Sequence, residues 1–182
     1  MNQHILKNIS DPAVFEENRL PAHSDHLVYK NKAELLSGTS SLCYSLNGVW
    51  KFDYSINLNC TPDGSETLDY DCKNWDDIRV PAHIQMEGYD RPHYANVAYP
   101  WDGRQGLKSG QSPTDFNPVA SYVKYFTLPE SFTGKDIVLR MEGVESAAAV
   151  WLNGHYIGYC EDSFTPSEFD LSKYIVNGEN KL

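Results

Sequence analysis

The sequence lacks any long apolar run. The longest, Ala147 to Leu152, is six residues, far short of the roughly 18 that a membrane-spanning helix requires. Its start, Met1-Asn2-Gln3-His4-Ile5-Leu6-Lys7, has no basic stretch leading into an apolar one, so no secretory signal is read there. Positive charge is scarce: 15 Lys and Arg stand against 25 Asp and Glu, a formal charge of −10. A phosphate backbone or an anionic leaflet binds through clustered cations that release its counterions, so neither nucleic acid nor membrane is expected as a partner. Cysteine is sparse as well. Cys43, Cys60, Cys72 and Cys160 are spaced 17, 12 and 88 residues apart, which matches no zinc or redox motif and no dense extracellular framework. Free thiols in a reducing compartment are the natural reading, and the cytoplasm is the expected location.

Catalytic signatures are equally thin. There is no G-x-S-x-G elbow, no Walker-type phosphate loop and no G-x-G-x-x-G, since the glycines at 103, 106 and 110 have the wrong spacing. His23 and His26 form an H-x-x-H, but as a lone pair in a polar stretch they read as solvated or capping imidazoles. A nucleophilic cysteine needs a lowered pKa and a positioned base, and nothing electropositive flanks any of the four. Paired carboxylates deserve a closer look because glycosidases use two, about 5–5.5 Å apart when retaining and about 6.5–9.5 Å when inverting. Glu161/Asp162 and Glu168/Asp170 are the candidates. Neighbours on a strand point to opposite faces, so Glu161 and Asp162 are not expected to flank one bond; solvated acids at a strand end are the plainer reading of both pairs.

What the chain does have is length and rings. Its 182 residues suit one domain of ordinary size, able to bury about 70% of its unfolded surface without staples. Twelve Tyr, seven Phe and four Trp favour strands and also supply the flat faces on which sugar rings stack, although core and cross-strand packing accounts for most such residues. Trp50, Phe52 and Tyr54 alternate with Val49, Lys51 and Asp53, which predicts a strand with three aromatics on one face. Ile78-Arg79-Val80-Pro81 reads as a short strand cut off by proline. Further strands are predicted over 121–128, around Ile137, Leu139 and Met141, and from Ala148 to Leu152. The pair Asn153-Gly154 then marks a hairpin, because both central residues of a type I′ turn need positive φ; the chain should return through His155, Ile157 and Tyr159.

Between these strands, 57–76 reads as a surface loop, and 82–118, rich in Gly, Pro and aromatics, as a long irregular segment of the kind that binds or docks. Residues 1–40 read as a leader that packs on the domain formed by 41–182, with a short helix predicted from Ser10 as N-cap through Glu17. No stretch carries sustained helical periodicity. Many short strands between turns predict an all-β fold, a β-sandwich of the jelly-roll sort. Asn177 to Leu182 looks like a turn entering another strand just where the sequence stops, as expected for a piece of a longer polypeptide.

Particular strings then become recognisable. The run from Val80 to Pro100, VPAHIQMEGYDRPHYANVAYP, resembles a segment of glycoside hydrolase family 2 β-galactosidases. So do the strings from Trp151 to Tyr159 and from Asp162 to Leu171, and in the leader Glu17-Asn18-Arg19-Leu20-Pro21-Ala22-His23 and Leu46-Asn47-Gly48-Val49-Trp50-Lys51-Phe52. The resemblance implies the first domain of a large multidomain enzyme: a jelly-roll, galactose-binding-like domain ahead of immunoglobulin-like domains and a catalytic barrel. Both catalytic glutamates would lie downstream, so no catalytic residue is expected in this chain, and alone it should be inactive. Carried over by position, Asn96 and Asp162 are expected to bind substrate, and Asp162 to ligate sodium in the intact enzyme. Na⁺ and Mg²⁺ are implied for that enzyme, with no cofactor expected in the isolated piece. An amide both donates and accepts, which suits sugar hydroxyls, and an ionised Asp offers hard oxygens to Na⁺. Where the family has Gln before that Asp, this chain has Cys160-Glu161, so the local charge differs. The partners implied are a galactoside, the remaining domains of the same chain, and further copies in a homo-oligomer. A free-standing carbohydrate-binding module or lectin of the same fold is the alternative that residue pattern alone leaves open.

Overall fold

In the computed structural model, residues 2–91, 105–108 and 110–182 are described. Among them the chain runs α1 (Asn2–Ser10), β1 (Glu16–Glu17), α2 (Lys32–Ser37), β2 (Gly48–Ser55), β3 (Asp76–Val80), β4 (Val119–Val123), β5 (Tyr125–Phe126), β6 (Val138–Met141), β7 (Ala148–Leu152), β8 (His155–Cys160), β9 (Ser167–Asp170) and β10 (Asn180–Lys181). The elements are mostly short strands, and they gather into two compact units. One comprises Met1–Phe15, Asn47–Ser65 and Asp69–Val123; the other comprises Glu16–Leu46, Glu66–Leu68 and Lys124–Leu182.

The first unit is built on an antiparallel sheet in the order β3-β2-β4. The alternation read in β2 holds. Phe52 is buried and meets Tyr89 and Tyr122 edge-on at ring-centroid distances of 4.5 and 4.9 Å, while Trp50 meets Tyr122 at 6.4 Å. Such tilted contacts suit the quadrupoles of the rings and add to the area they bury. Ile78 and Cys72 are buried in the same unit. The helix predicted from Ser10 does not form. Helix α1 instead ends at Ser10, because Pro12 cannot continue a helix and disfavours helical backbone at Asp11. The Asp11 carboxylate accepts the Ala13 N–H at 3.0 Å, turning the chain.

The second unit holds the sheets β1-β8-β7, β6-β9 and β5-β10, all antiparallel. Its core gathers Phe126, Ile137, Leu139, Val150, Leu152, Ile157, Cys160, Phe169 and Leu171. The predicted hairpin forms: Asn153 and Gly154 take φ of 52° and 82°, and Leu152 pairs with His155 across the turn. The single strand expected over 121–128 is divided at Lys124. Its N–H and C=O instead pair with Leu182 at 2.8 and 3.0 Å, beside the two-residue ladder of β10 on β5. Within the stretch read as a leader, α2 is capped by the Asn31 side chain and closed by Gly38 in left-handed conformation. None of the four cysteines, all among the described residues, is in a disulfide.

Candidate functional site

Of the two residues expected to contact substrate, Asn96 lies outside the described residues. Asp162 opens the loop between β8 and β9. Its Oδ1 accepts the N–H groups of Phe164 and Thr165, both at 3.1 Å, and its Oδ2 accepts the Thr165 hydroxyl. These bonds, led by the Thr165 hydroxyl and joined by the charge of Arg19, hold the carboxyl below its ordinary pKa, so it is ionised at neutral pH. The side chain stays 38% exposed. The turn-capping role and an available charge therefore coexist: Oδ1 is saturated by two amides, Oδ2 spends one lone pair on the Thr165 hydroxyl, and one lone pair of Oδ2 remains.

The residue that holds this loop from outside is Arg19, which sequence reasoning quoted within a leader string but did not single out. Its side chain is only 8% exposed. Nη2 donates to the Thr165 hydroxyl at 3.1 Å and the Pro166 carbonyl at 3.0 Å, and lies 3.7 Å from Asp162 Oδ2; Nη1 is 3.4 Å from Glu16. The neighbouring Leu20 N–H donates to the Glu168 carbonyl at 2.8 Å, so the leader lies against the start of β9. Its sequence signal is an arginine between a two-residue acidic strand and a proline, and the local pairing with Glu16 gives no hint of the contacts at 165 and 166.

The other candidate carboxylates have separate partners. Glu161 accepts the hydroxyl of buried Tyr159, and Glu17 on β1 that of Tyr156. In both tyrosines burial pushes the phenol pKa up, and the adjoining carboxylate adds to it. Asp170 accepts the Ser172 N–H at 2.8 Å. Glu168 is 2.8 Å from His23 Nε2 and 3.1 Å from Arg140 Nη1, while Arg140 also reaches Asp25 and Glu142. Burial raises the Glu168 pKa, but the bonds from His23 and Arg140 outweigh it, and the net shift is downward. His23 and His26 both approach the Ser24 carbonyl, at 2.8 and 3.1 Å. His23 thus pairs with a carboxylate while staying exposed to solvent, as His26 does, and among the described residues no group of three His, Cys, Asp or Glu is placed to hold a metal.

In the first unit, a cleft of about 400 Å³ is lined by Tyr54, Trp75 and Tyr89 with Asp53, Asn74 and Asp76. It combines ring faces with an amide and carboxylates, but several of its polar groups are committed internally. Tyr89 donates to Asp76 at 2.9 Å, and the Ser55 hydroxyl donates to Asp53 at 2.9 Å.

A strand-built domain whose ionised Asp162 is held in an exposed loop is the class that fold and site together define. Residues 43–182 match the family model for the sugar-binding domain of glycosyl hydrolases family 2, and the chain belongs to that family. It is 52% identical over 175 residues to a β-galactosidase of Halalkalibacterium halodurans, covering 96% of this chain and 17% of that one. It is 43% identical to a β-galactosidase of Lactobacillus delbrueckii subsp. bulgaricus, covering 100% of this chain and 18% of the relative. The chain thus spans under one fifth of the length of these relatives. A crystal structure of a glycosyl hydrolase family 2 member from Bacteroides cellulosilyticus superposes with a TM-score of 0.52 at 20% identity, over 76% of this chain and 16% of that one. That likeness establishes the fold, the all-β one of this domain family, as the strand pattern predicts. Among the described residues no helix is long and apolar enough to cross a membrane.

Proposed function

We propose that this chain is the N-terminal, substrate-binding domain of a retaining β-galactosidase, lending galactose-subsite contacts from Asn96 and Asp162 to a catalytic barrel elsewhere in a longer polypeptide. The observation that carries the reading is the state of Asp162: ionised, part exposed and fixed by its own loop, with one Oδ2 lone pair remaining for a sugar hydroxyl or a hard cation. The identity to proteins named β-galactosidase over nearly the whole chain supports it. Asp162 would supply one hard oxygen to Na⁺, whose other ligands would come from outside the described residues; Mg²⁺, implied for the intact enzyme, is given no residue here. Both catalytic glutamates would lie on the barrel, and this chain's partners would be the remaining domains and further copies of the polypeptide, in the cytoplasm.

The test is substitution of Asp162 in the longer polypeptide. Asp162→Ala should raise the KM for a chromogenic galactoside by about tenfold or more, since it removes a charge-assisted acceptor. Unchanged KM with unchanged dependence on sodium concentration would refute the assignment.

A further inference from the structure

We propose that Arg19 is a positioning residue for Asp162, a reading that rests on the substrate-contact role given to Asp162 above. The 162–166 loop is not part of a strand among the described residues, and what orders it is a set of bonds on two sides. From within, Asp162 caps the Phe164 and Thr165 amides. From without, one guanidinium nitrogen, Nη2, engages the Thr165 hydroxyl and the Pro166 carbonyl and lies near the Asp162 carboxylate.

The arrangement is directional. A threonine hydroxyl has one proton to donate and lone pairs to accept with. The N–H of Arg19 occupies a lone pair of Thr165, and the single Thr165 proton goes to Asp162 Oδ2. Arg19 thereby fixes the hydroxyl rotor, and the rotor fixes how Oδ2 is used. A guanidinium suits this task because its planar fork reaches several acceptors from one position, which an ammonium on a flexible stem does not. Its near-complete burial in a chain of net charge −10 keeps the fork in place, and its charge lies between Glu16 and Asp162, countering repulsion between them. The leader therefore reaches the proposed sugar contact through one side chain. It does so across more than 140 residues of sequence, which explains why no local pattern marks it.

In the longer polypeptide, Arg19→Ala should raise the galactoside KM about tenfold, the size expected when a contact group loses its support. The rise should be non-multiplicative with that of Asp162→Ala, because the two substitutions act on one contact. Arg19→Lys should recover only part of the loss. Thr165→Val, which cuts the same relay without removing a buried charge, should raise KM in the same direction and covers the case in which Arg19→Ala fails to fold. His23→Gln, which loosens the leader at a different place, should leave KM unchanged. In the 182-residue chain, Arg19→Ala should also speed amide hydrogen exchange at Phe164 and Thr165. Multiplicative effects of Arg19→Ala and Asp162→Ala, or a normal KM in Thr165→Val, would overturn the positioning role while leaving Asp162 as a contact. A normal KM in Asp162→Ala would overturn both.

Discussion

At the scale of single residues, Gly158 is the least replaceable position that the described geometry identifies. A Cβ there would lie 2.5 Å from the Glu17 carbonyl oxygen and 2.5 and 2.7 Å from the Phe169 ring. The first obstacle is backbone and the second a fully buried ring, so neither yields cheaply. Gly158→Ala should cost about 3 kcal/mol, lowering Tm by roughly 6–12 °C in a chain of this size. Thermal melts followed by far-UV circular dichroism measure it, and an unchanged Tm would mean that β1 does not lie against β8. The same scale shows why Asp162 could be nominated from sequence and Arg19 could not. Asp162 stands inside a recognisable string with its loop partners two and three residues away. Arg19 has partners at 165 and 166, and a long-range bond leaves no spacing to read.

Among elements, the β7–β8 hairpin does more than reverse the chain. Asn153 takes positive φ, which asparagine tolerates and β-branched residues do not. Its amide also donates to the Tyr174 carbonyl at 2.9 Å and the Asn180 side chain at 2.8 Å, and accepts the Lys181 N–H at 2.9 Å. Asn180, fully buried, in turn accepts the Val176 N–H and donates to the Val176 and Gly178 carbonyls. Asn153→Ala would strand several buried polar groups at once, each costing about 1–3 kcal/mol. Asn153→Asp keeps the acceptor and the tolerance of positive φ, but it sets a carboxylate oxygen against the Tyr174 carbonyl and Asn180 Oδ1 in place of a donor, so both variants should lower the urea midpoint; an unchanged midpoint in either would contradict the network. The hairpin, β2, β3 and β6 were legible because their patterns are local: alternation, a turn pair, a terminating proline. Strand β1 was not, since two glutamates have little strand propensity and become a strand only by pairing with Tyr159 and Cys160. Helix α1 lies before the position that the sequence pattern predicts, because a proline suits the first turn of a helix and also the residues just past its end, and Pro12 follows the end of α1.

For the whole molecule, pH is the lever that the ion-pair cluster on β6 and β9 provides. Both ring nitrogens of His23 face acceptors, Ser24 O and Glu168 Oε2, each at 2.8 Å, and only the doubly protonated ring can donate to both. The Ser24 carbonyl first, then the Glu168 carboxylate, raise the His23 pKa above 6.5, while Glu168 lies below 4.5. The His23 contribution is thus complete below pH 6.5 and fades as pH climbs through the raised folded value. The Glu168 contribution is complete above pH 4.5 and fades as pH falls through the lowered one. The Tm difference between the native chain and His23→Gln should accordingly be largest between about pH 4.5 and 6.5 and shrink above neutrality; a difference that is flat from pH 5 to 9 would contradict the pairing. The two-unit arrangement was also invisible in the sequence, where 1–40 read as one leader, because membership changes between Phe15 and Glu16 without any shift in composition. That interleaving has a consequence for synthesis. Residues 16 and 17 are made more than 140 residues before their partners at 159 and 160, a wait of roughly 7–30 s at ordinary elongation rates. Until then β8 does not exist and Arg19 has no loop to hold. A nascent chain halted short of Tyr159 carries an unpaired leader, so completion of the β1–β8 ladder reports that translation has passed the hairpin.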